Sequence, residues 1–277
     1  MCVPGCREEL ERHFSRRGLL TRLAAAGAAG AVATMPGPAE AVPPRPKQIR
    51  VRRFVDLTHT LDPRFPTWDG HPGIELKKVA SVETDGFNIF EWNLAEHSGT
   101  HIDAPFHISA TGQTVELIPV EKLVVPLAVV DIAHKAESEP DYRLNIYDIL
   151  EWERIHGRLR RGSCVAMYSG WGRHIGTPRY RNRDDKGVMR FPGFHAEAAE
   201  FLARERDAAG LAVDTLSLDH GSSKNFRVHK VWLGSGRWGL ECVANLHDVP
   251  PRGATLVVGA PKVRGASGGP CRLIALV

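Results

Sequence analysis

His97-Ser98-Gly99-Thr100-His101-Ile102-Asp103-Ala104-Pro105-Phe106-His107 is the most informative stretch of this chain. Its histidines and its aspartate all occupy odd positions, so an extended backbone carries them on one face. A helix would also bring the first two histidines together, but Pro105 blocks and Gly99 weakens a helix that has to reach the third. We therefore predict the end of a strand that runs into a loop, with imidazoles and a carboxylate converging on one point.

Imidazoles combined with a carboxylate are a typical ligand set for a divalent metal such as Zn or Mn. The small residues Ser98, Gly99 and Ala104 fit this interpretation, because they let the backbone approach an ion closely. The alternative is a polar loop whose histidines form local hydrogen bonds. The density of ligand side chains in so short a stretch favours the metal site.

The composition of the 277 residues is that of an ordinary globular protein, with 43% hydrophobic and 25% charged residues. This length is enough for one large domain or two small ones. The formal net charge is only +4, and no basic stripe alternates with aromatic residues. Nucleic acid is therefore not an expected partner.

The N-terminus has the organisation of an export signal. The segment Ser15-Arg16-Arg17-Gly18-Leu19-Leu20-Thr21 resembles the twin-arginine motif, and a mildly apolar run from Leu23 to Thr34 follows it. The alternatives are a basic tail or a membrane anchor. The apolar run is short and rich in Ala and Gly, so no stable membrane span is expected.

A small-x-small cleavage site, Ala39-Glu40-Ala41, ends this signal. We expect residues 1–41 to be a signal peptide and residues 42–50 a linker, with the folded domain at 51–277. The mature protein is then periplasmic or extracellular. Folded proteins use the twin-arginine route, which suits an enzyme that is loaded with its metal in the cytoplasm.

The cysteines predict neither a disulfide framework nor a cysteine-based zinc site. Two of the five belong to the leader, and Cys164, Cys242 and Cys271 are an odd number without close spacing. Cys164 and Cys242 lie in apolar runs and are expected to be small buried residues.

Strands outnumber helices in the hydrophobic pattern. Helices are predicted at 147–156 and 224–233, and a third from Phe194 to a point before Gly210. Residues 173–193 are polar and predict a long loop. We therefore expect a mixed α/β domain. Strands are predicted at 51–60, 74–84, 87–95, 126–133, 163–169, 211–218, 238–244, 254–260 and 272–277, with a hairpin turn at Asp85-Gly86.

Other acidic and imidazole side chains could complete a metal centre, but composition does not choose among them. Here the chain resembles a known family. The pattern His-x-Gly-Thr-His-x-Asp-x-Pro-x-His is similar to the signature of metal-dependent cyclase-type hydrolases, which include bacterial kynurenine formamidases and isatin hydrolases. The side chains that could complete the metal centre are Asp214, Asp219, His220, His229, Glu241, His247 and Asp248. Besides the signature, the segments that match the family are Asp56–His59, Pro66–Trp68, Phe191–Gly193, Asp214–Asp219, Glu241–Leu246 and Val249–Pro251.

The resemblance implies a swivelling β/β/α domain with a mixed sheet and few helices, and a homodimer or higher homo-oligomer. It places His97, His101 and Asp103 on one metal, and gives a second metal, in two-metal members, to His229 and Glu241. It makes His107 the catalytic histidine. The expected cofactor is one or two ions of Zn or Mn. The sequence departs from the formamidases at Asp69-Gly70-His71, where Pro-Gly-Asp is usual, so the substrate cannot be carried over.

We therefore predict a metal-dependent hydrolase that acts on a non-peptide C–N bond of a small molecule, either an aryl formamide or a cyclic amide such as isatin. His107 would take a proton from the attacking water. The alternatives are an exported metal-dependent binding protein without turnover, and a cyclase or dehydratase that acts on another carbonyl substrate. The aromatic candidates for a substrate pocket are Phe65, Trp68 and Trp171, with Phe90 and Trp92.

Overall fold

A nine-stranded mixed sheet organises residues 51–277, the part of the chain that the computed structural model describes. The signal peptide predicted at 1–41 and the linker predicted at 42–50 lie outside the described residues. The strands are β1 (Phe54–Asp56), β2 (Ile74–Ala80), β3 (Ile89–Leu94), β4 (His101–Asp103), β5 (Val124–Asp131), β6 (Arg143–Leu144), β7 (Cys164–Tyr168), β8 (Gly193–Phe194), β9 (Gly210–Val213), β10 (Trp238–Glu241), β11 (Arg252–Gly259), β12 (Gly268–Pro270) and β13 (Arg272–Leu276).

The order of strands in the main sheet is β1-β13-β11-β5-β7-β9-β10-β4-β12. The central strands β5, β7, β9 and β10 are parallel, and the strands on both sides are antiparallel. Short pairs outside this sheet are β2-β3 and β6-β8. The helices are α1 (Val82–Asp85), α2 (Ala133–Ser138), α3 (Ile146–His156), α4 (Ala196–Arg204) and α5 (Arg227–Leu233).

The two faces of the sheet carry separate apolar cores. Along β5, Leu127 and Val129 belong to one core, whereas Ala128 and Val130 belong to the other, as the period of two in a strand requires. Helices α3, α4 and α5 pack into the second core. The first core is completed by residues of the 3₁₀ turns at 115–117 and 246–248. None of the helices within 51–277 is long and apolar enough to cross a membrane.

Local sequence signals account for the helix boundaries. Asn145 caps α3, and its side chain accepts hydrogen bonds from the amides of Tyr147 and Asp148. The Asp148 carboxylate accepts from the Asn145 amide in return, which completes a capping box. The predicted helix at 147–156 is thus confirmed. Cys164, Cys242 and Cys271 are free and buried, which confirms the prediction of small buried residues for Cys164 and Cys242.

The hairpin predicted at Asp85-Gly86 is present as the β2-β3 pair. Its turn differs from a two-residue loop, because β2 ends at Ala80 and α1 forms one helical turn before Gly86, whose φ is +78°. The predicted strand at 74–84 is therefore too long. The strand predicted at 211–218 is also too long, since β9 ends at Val213 and the Asp214 carboxylate accepts backbone hydrogen bonds from Ser169 and Trp171.

The motif itself forms a strand, contrary to the prediction of a strand that ends there. Within residues 51–277, β3 ends at Leu94 and pairs only with β2, whereas His101–Asp103 form β4 within the main sheet. His97 precedes β4, and His107 follows it in a 3₁₀ turn that starts at Pro105. The loop therefore lies on both sides of the strand.

Candidate metal centre

Strands β4 and β10 bring the ligand side chains together. His101 and Asp103 point to the same face of β4, while Ile102 between them is buried in the apolar core. Glu241 on β10 lies directly opposite His101. Gly239 lies opposite Asp103, and a Cβ at Gly239 would come within 2.7 Å of Leu218, so a side chain at this position would have to displace that buried residue.

Asp103 is the common neighbour of the imidazoles. Its Oδ1 is 2.7 Å from Nδ1 of His97 and 3.4 Å from Nε2 of His101. Its Oδ2 is 3.6 Å from Nε2 of His229. Glu241 closes the group, with Oε2 3.4 Å from His101 and Oε1 3.1 Å from His229. The structure thus brings His97, His101, His229 and Glu241 together around Asp103.

The imidazoles of His101 and His229 each donate a hydrogen bond from Nδ1, the nitrogen that faces away from Asp103 and Glu241. Nδ1 of His101 donates to the carbonyl of Gly99 over 2.9 Å, and Nδ1 of His229 donates to Oδ2 of Asp219 over 2.8 Å. These bonds fix the tautomers, so that the Nε2 lone pairs face the carboxylates of Asp103 and Glu241. Acceptors that face acceptors require a cation between them, either a metal ion or a proton on the imidazole.

A hydrogen bond also orients the ring of His97, in this case through Nε2 instead of Nδ1. The hydroxyl of Ser267 donates to Glu96 over 2.5 Å, and it therefore accepts from Nε2 of His97, 2.8 Å away. The second nitrogen of His97 is thereby turned toward Asp103. Neither Ser267 nor Glu96 was among the candidates from sequence, because neither belongs to the motif or to a polar run.

The donor set fits a divalent metal ion. Ligand atoms of His101, Asp103 and Glu241 lie within 4.8 Å of one another, as do those of His97, Asp103 and His107. Nε2 of His101 and Oδ2 of Asp103 are buried and have no hydrogen-bond partner among the described residues. Unpaired buried polar atoms are costly, and a bound ion would satisfy both.

The pKa values of the buried histidines show how the charge of the centre is balanced without a metal ion. Burial opposes protonation, but the carboxylates of Asp103 and Glu241 raise the pKa of His101 to about 10. The same carboxylates, with Asp219, also raise the pKa of His229 well above its ordinary value, although burial acts in the other direction. Protons therefore balance the carboxylates in the metal-free centre, and a metal ion has to displace them.

His107 differs from the other histidines of the centre. Its ring centroid is 3.8 Å from that of His97 and 5.8 Å from that of His229. Burial and these two neighbouring rings lower the pKa of His107, against the charge of Asp103. A neutral imidazole is a proton acceptor at neutral pH. His107 also lies close enough to His97 and Asp103 to share an ion with them.

A cavity of about 360 Å³ opens onto these ligands. Trp68 is the one of the three predicted pocket aromatics that lines it. Phe65 and Trp171 are instead buried in an apolar cluster with Tyr180 and Phe191, so the prediction is wrong for them. Phe90 and Trp92 are exposed on β3 and also do not contribute. The apolar lining consists of Pro66, Trp68, Ile108, Leu216, Phe226 and Cys242.

Phe226 is a pocket residue that the sequence pattern did not indicate. It has a φ of +47°, which is unusual for a side chain of this size, and it precedes the helix that carries His229. Its ring lies 5.5 Å from that of Trp68 and 5.9 Å from that of His229. An aromatic wall therefore connects the cavity lining to the metal ligands.

The segment Asp69-Gly70-His71 shapes the turn beside Trp68. Oδ1 of Asp69 accepts hydrogen bonds from the Thr67 hydroxyl and the His71 amide. The remaining candidates lie elsewhere: Asp214 is buried beside Ser169, His220 lines a different cavity, and His247 and Asp248 are exposed.

Known proteins resemble the whole described domain. The family model named Cyclase matches residues 55–220. The chain belongs to the Cyclase family. An isatin hydrolase of Roseibium aggregatum is 30% identical over 243 residues, which cover 80% of this chain and 91% of that protein. A kynurenine formamidase of Salinibacter ruber is 25% identical over 224 residues, which cover 80% and 96%.

A solved structure agrees with this Cyclase family membership. Isatin hydrolase A from Labrenzia aggregata, bound to benzyl benzoate, superposes with a TM-score of 0.77 at 32% identity, covering 81% of this chain and 93% of that one. The predicted resemblance and the predicted mixed α/β fold are therefore confirmed. The names of both relatives agree with the predicted class, an enzyme that hydrolyses an amide C–N bond.

Proposed function

We propose that this protein is a metal-dependent hydrolase of a non-peptide C–N bond, and that its substrate is an aryl formamide or a cyclic amide such as isatin. The observation that carries the proposal is the convergence of His97, His101 and His229 on Asp103 and Glu241 beside a cavity with an aromatic wall. Isatin and N-formylkynurenine both carry an aromatic ring next to the amide, which suits Trp68 and Phe226.

The residues that would hold the metal fall into two groups that share Asp103. His97, His101 and Asp103 would hold one ion, and His229 with Glu241 would hold a second ion where two are bound. The mixture of imidazole nitrogen and carboxylate oxygen suits Zn or Mn. A bound divalent ion lowers the pKa of water toward neutrality and polarises an amide carbonyl.

The chain's own residues supply the rest of the chemistry. His107, with its lowered pKa, takes a proton from the attacking water at one ring nitrogen and returns it to the departing nitrogen of the amide. Trp68 and Phe226 contact the aryl group and exclude water from one side of the cavity. Asp219 and Ser267 hold His229 and His97 in the required tautomers.

Turnover of two substrates tests this function. The purified protein, supplied with Zn or Mn, is incubated with isatin and with N-formylkynurenine, and ring opening and formate release are measured. Hydrolysis of either compound supports the proposal and identifies the substrate branch. A metal-loaded protein that hydrolyses neither compound contradicts it.

The proposal extends to the cellular location and the oligomeric state of the protein. We expect residues 1–41 to direct export by the twin-arginine route to the periplasm or the medium, and the folded protein to be a homodimer or a higher homo-oligomer. Cell fractionation of an Arg16→Lys, Arg17→Lys variant tests the first point. Retention of this variant in the cytoplasm is expected, and export equal to that of the unmodified chain contradicts it.

A further inference from the structure

The segment predicted as a long loop at 173–193 contacts the wall of the cavity at the metal centre. A 3₁₀ turn spans Pro178–Tyr180 within it, and Arg181 follows directly. Nη2 of Arg181 donates a hydrogen bond to the backbone carbonyl of Trp68 over 2.5 Å, across 113 residues of sequence. Because Trp68 lines the cavity, this bond connects the loop to the surface on which a substrate ring would lie.

The backbone on both sides of Arg181 is fixed to the rest of the domain. Tyr180 is buried, and its hydroxyl donates a hydrogen bond to the backbone carbonyl of Asp214 over 3.2 Å. On the other side, the Asn182 side chain donates to the backbone carbonyl of Arg190 over 2.7 Å. The side chain of Arg181 therefore starts from a well-defined position and reaches Trp68 from there.

The guanidinium also packs against the turn that follows Trp68. A Cβ at Gly70 would meet the guanidinium of Arg181 before any other group, so this group fills the space beside the glycine. The φ of Gly70 is +89°, which a glycine adopts without strain. The Gly70 amide donates to the Thr67 hydroxyl over 3.1 Å and closes the same turn. Arg181 thus holds the turn at two points, the Trp68 carbonyl and the backbone of Gly70.

This placement removes water from a charged group. Nε of Arg181 is buried and has no hydrogen-bond partner among the described residues. Burial, together with the charge of Arg183, lowers the pKa of Arg181, against the charge of Asp69. Loss of hydration costs a guanidinium free energy, and the contacts that it makes have to offset this cost. Within residues 51–277, the bond to Trp68 is the one side-chain hydrogen bond that Arg181 forms.

The ring of Trp68 continues the connection toward the metal centre. Its centroid lies 6.1 Å from that of Phe191 and 5.5 Å from that of Phe226. The ring of Phe226 lies in turn 5.9 Å from that of His229. Close-packed side chains pass a displacement on to their neighbours, because little free volume separates them. A shift of the backbone at Trp68 would therefore move the aromatic wall of the cavity.

We propose that Arg181 is a positioning residue for substrate binding, because its guanidinium fixes the backbone at Trp68 and thereby the aromatic wall of the cavity. Arg181 is not among the residues that line the cavity, so it acts on the substrate through Trp68. The inference rests on the proposed function, since it concerns the substrate side of the same site. It assigns a role to the loop at 173–193, which supplies none of the proposed metal ligands.

Steady-state kinetics with an aryl amide test this role. Arg181→Met keeps most of the aliphatic stem but removes the donor and the charge, and it should raise KM about three- to tenfold, with kcat and metal content unchanged. Arg181→Lys retains a cation that can donate to the Trp68 carbonyl and should recover part of the loss. Arg183→Met removes an exposed cation of the same loop and should leave KM unchanged.

A double-mutant cycle shows whether Arg181 acts through Trp68. Trp68→Ala removes the ring, so Arg181→Met should raise KM no further when it is added to Trp68→Ala. Effects on KM that multiply in the double variant overturn the inference. An unchanged KM of Arg181→Met also overturns it, and so does a variant that loses kcat or metal while KM stays the same. Far-UV circular dichroism checks folding, and Arg181→Lys takes the place of Arg181→Met if the latter does not fold.

A second readout does not need turnover. The six tryptophans are replaced by 5-fluorotryptophan, and Trp68→Phe identifies the ¹⁹F resonance of Trp68. This resonance should shift or broaden in metal-loaded Arg181→Met and stay the same in Arg183→Met. An unchanged resonance in Arg181→Met overturns the inference, whether or not the protein hydrolyses amides. If the resonance changes but the unmodified protein hydrolyses neither isatin nor N-formylkynurenine, the proposed function fails and the positioning of Trp68 by Arg181 stands.

Discussion

Glu241 lies opposite His101 on the neighbouring antiparallel strand, and Oε2 of Glu241 is 3.4 Å from Nε2 of His101. Glu241→Gln keeps the shape of the side chain but removes the charge that the imidazoles face. We expect metal affinity to fall more than about 100-fold, beyond the 10–100-fold typical when a supporting residue is lost. Competition with a chelator of known affinity measures it. Glu200→Gln, on the exposed side of α4, is the matched control, and equal affinities of the two variants would refute the assignment.

Asp219 supports the centre without facing the cavity. Its Oδ2 accepts from Nδ1 and from the amide of His229, and its Oδ1 accepts from the amide of Val228. An Asn side chain has only one acceptor oxygen, so it cannot accept from both His229 and Val228. Asp219→Asn should therefore weaken metal binding by about 10–100-fold. Asp248→Asn, at an exposed acidic residue, should have no effect. An unchanged affinity of Asp219→Asn would show that the tautomer of His229 is fixed in another way.

The two possible roles of His107 predict different results. If it is the base, His107→Ala keeps the metal and lowers turnover by about 10²–10⁴-fold. Elemental analysis and kinetics on the same preparation measure both quantities. Loss of metal from the variant would make His107 a ligand, in agreement with its proximity to His97 and Asp103.

Trp68 forms part of the cavity wall and is not one of the predicted metal ligands. Trp68→Ala should therefore raise KM for an aryl amide by at least about tenfold through the lost apolar contact, with metal content unchanged. Tyr147→Ala removes an aromatic ring that is 82% exposed and distant in sequence from Trp68, and it serves as the control. A KM equal to that of the unmodified enzyme would remove Trp68 from the substrate site.

Asp214 gives the metal-free protein a pH dependence of known sign. Burial raises the pKa of its carboxyl from 3.8 to about 6, against hydrogen bonds from Ser169 and Trp171. The folded state therefore binds the proton more tightly than the unfolded state. This stabilisation is complete below pH 3.8 and is lost as the pH rises through 6.

Asp214→Asn should remove this dependence. In chelator-treated samples, the free energy of unfolding of the unmodified protein minus that of the variant should decrease between pH 4 and pH 7, by on the order of 3 kcal/mol. Urea titrations at both pH values measure the change. A difference that stays constant or increases with pH would contradict the assignment.

Sequence alone predicts the features whose signals are local. The alternation of His101, Ile102 and Asp103 identifies two ligands on one face because a strand has a period of two, and the α3 boundary follows from its capping residues. The family resemblance adds His229 and Glu241, which the chemistry of single residues does not distinguish from other candidates.

Contacts that depend on strand pairing lie beyond such signals. Ser267 reaches His97 across 170 residues because β12 pairs with β4, and no local pattern encodes that pairing. The aromatic residues were ambiguous for a different reason. A buried core and a substrate cavity both favour apolar rings, so Trp171 in the core and Trp68 in the cavity look alike in sequence.

The central claim is that Asp103 and its imidazole neighbours bind a catalytic divalent metal. Elemental analysis of the unmodified protein and of Asp103→Ala, purified in parallel, tests it most directly. The account predicts bound Zn or Mn in the unmodified protein and less than about a tenth of that amount in the variant, because the shared carboxylate is lost. An Asp103→Ala protein with full metal content would contradict the centre described above, as would an unmodified protein that takes up neither ion.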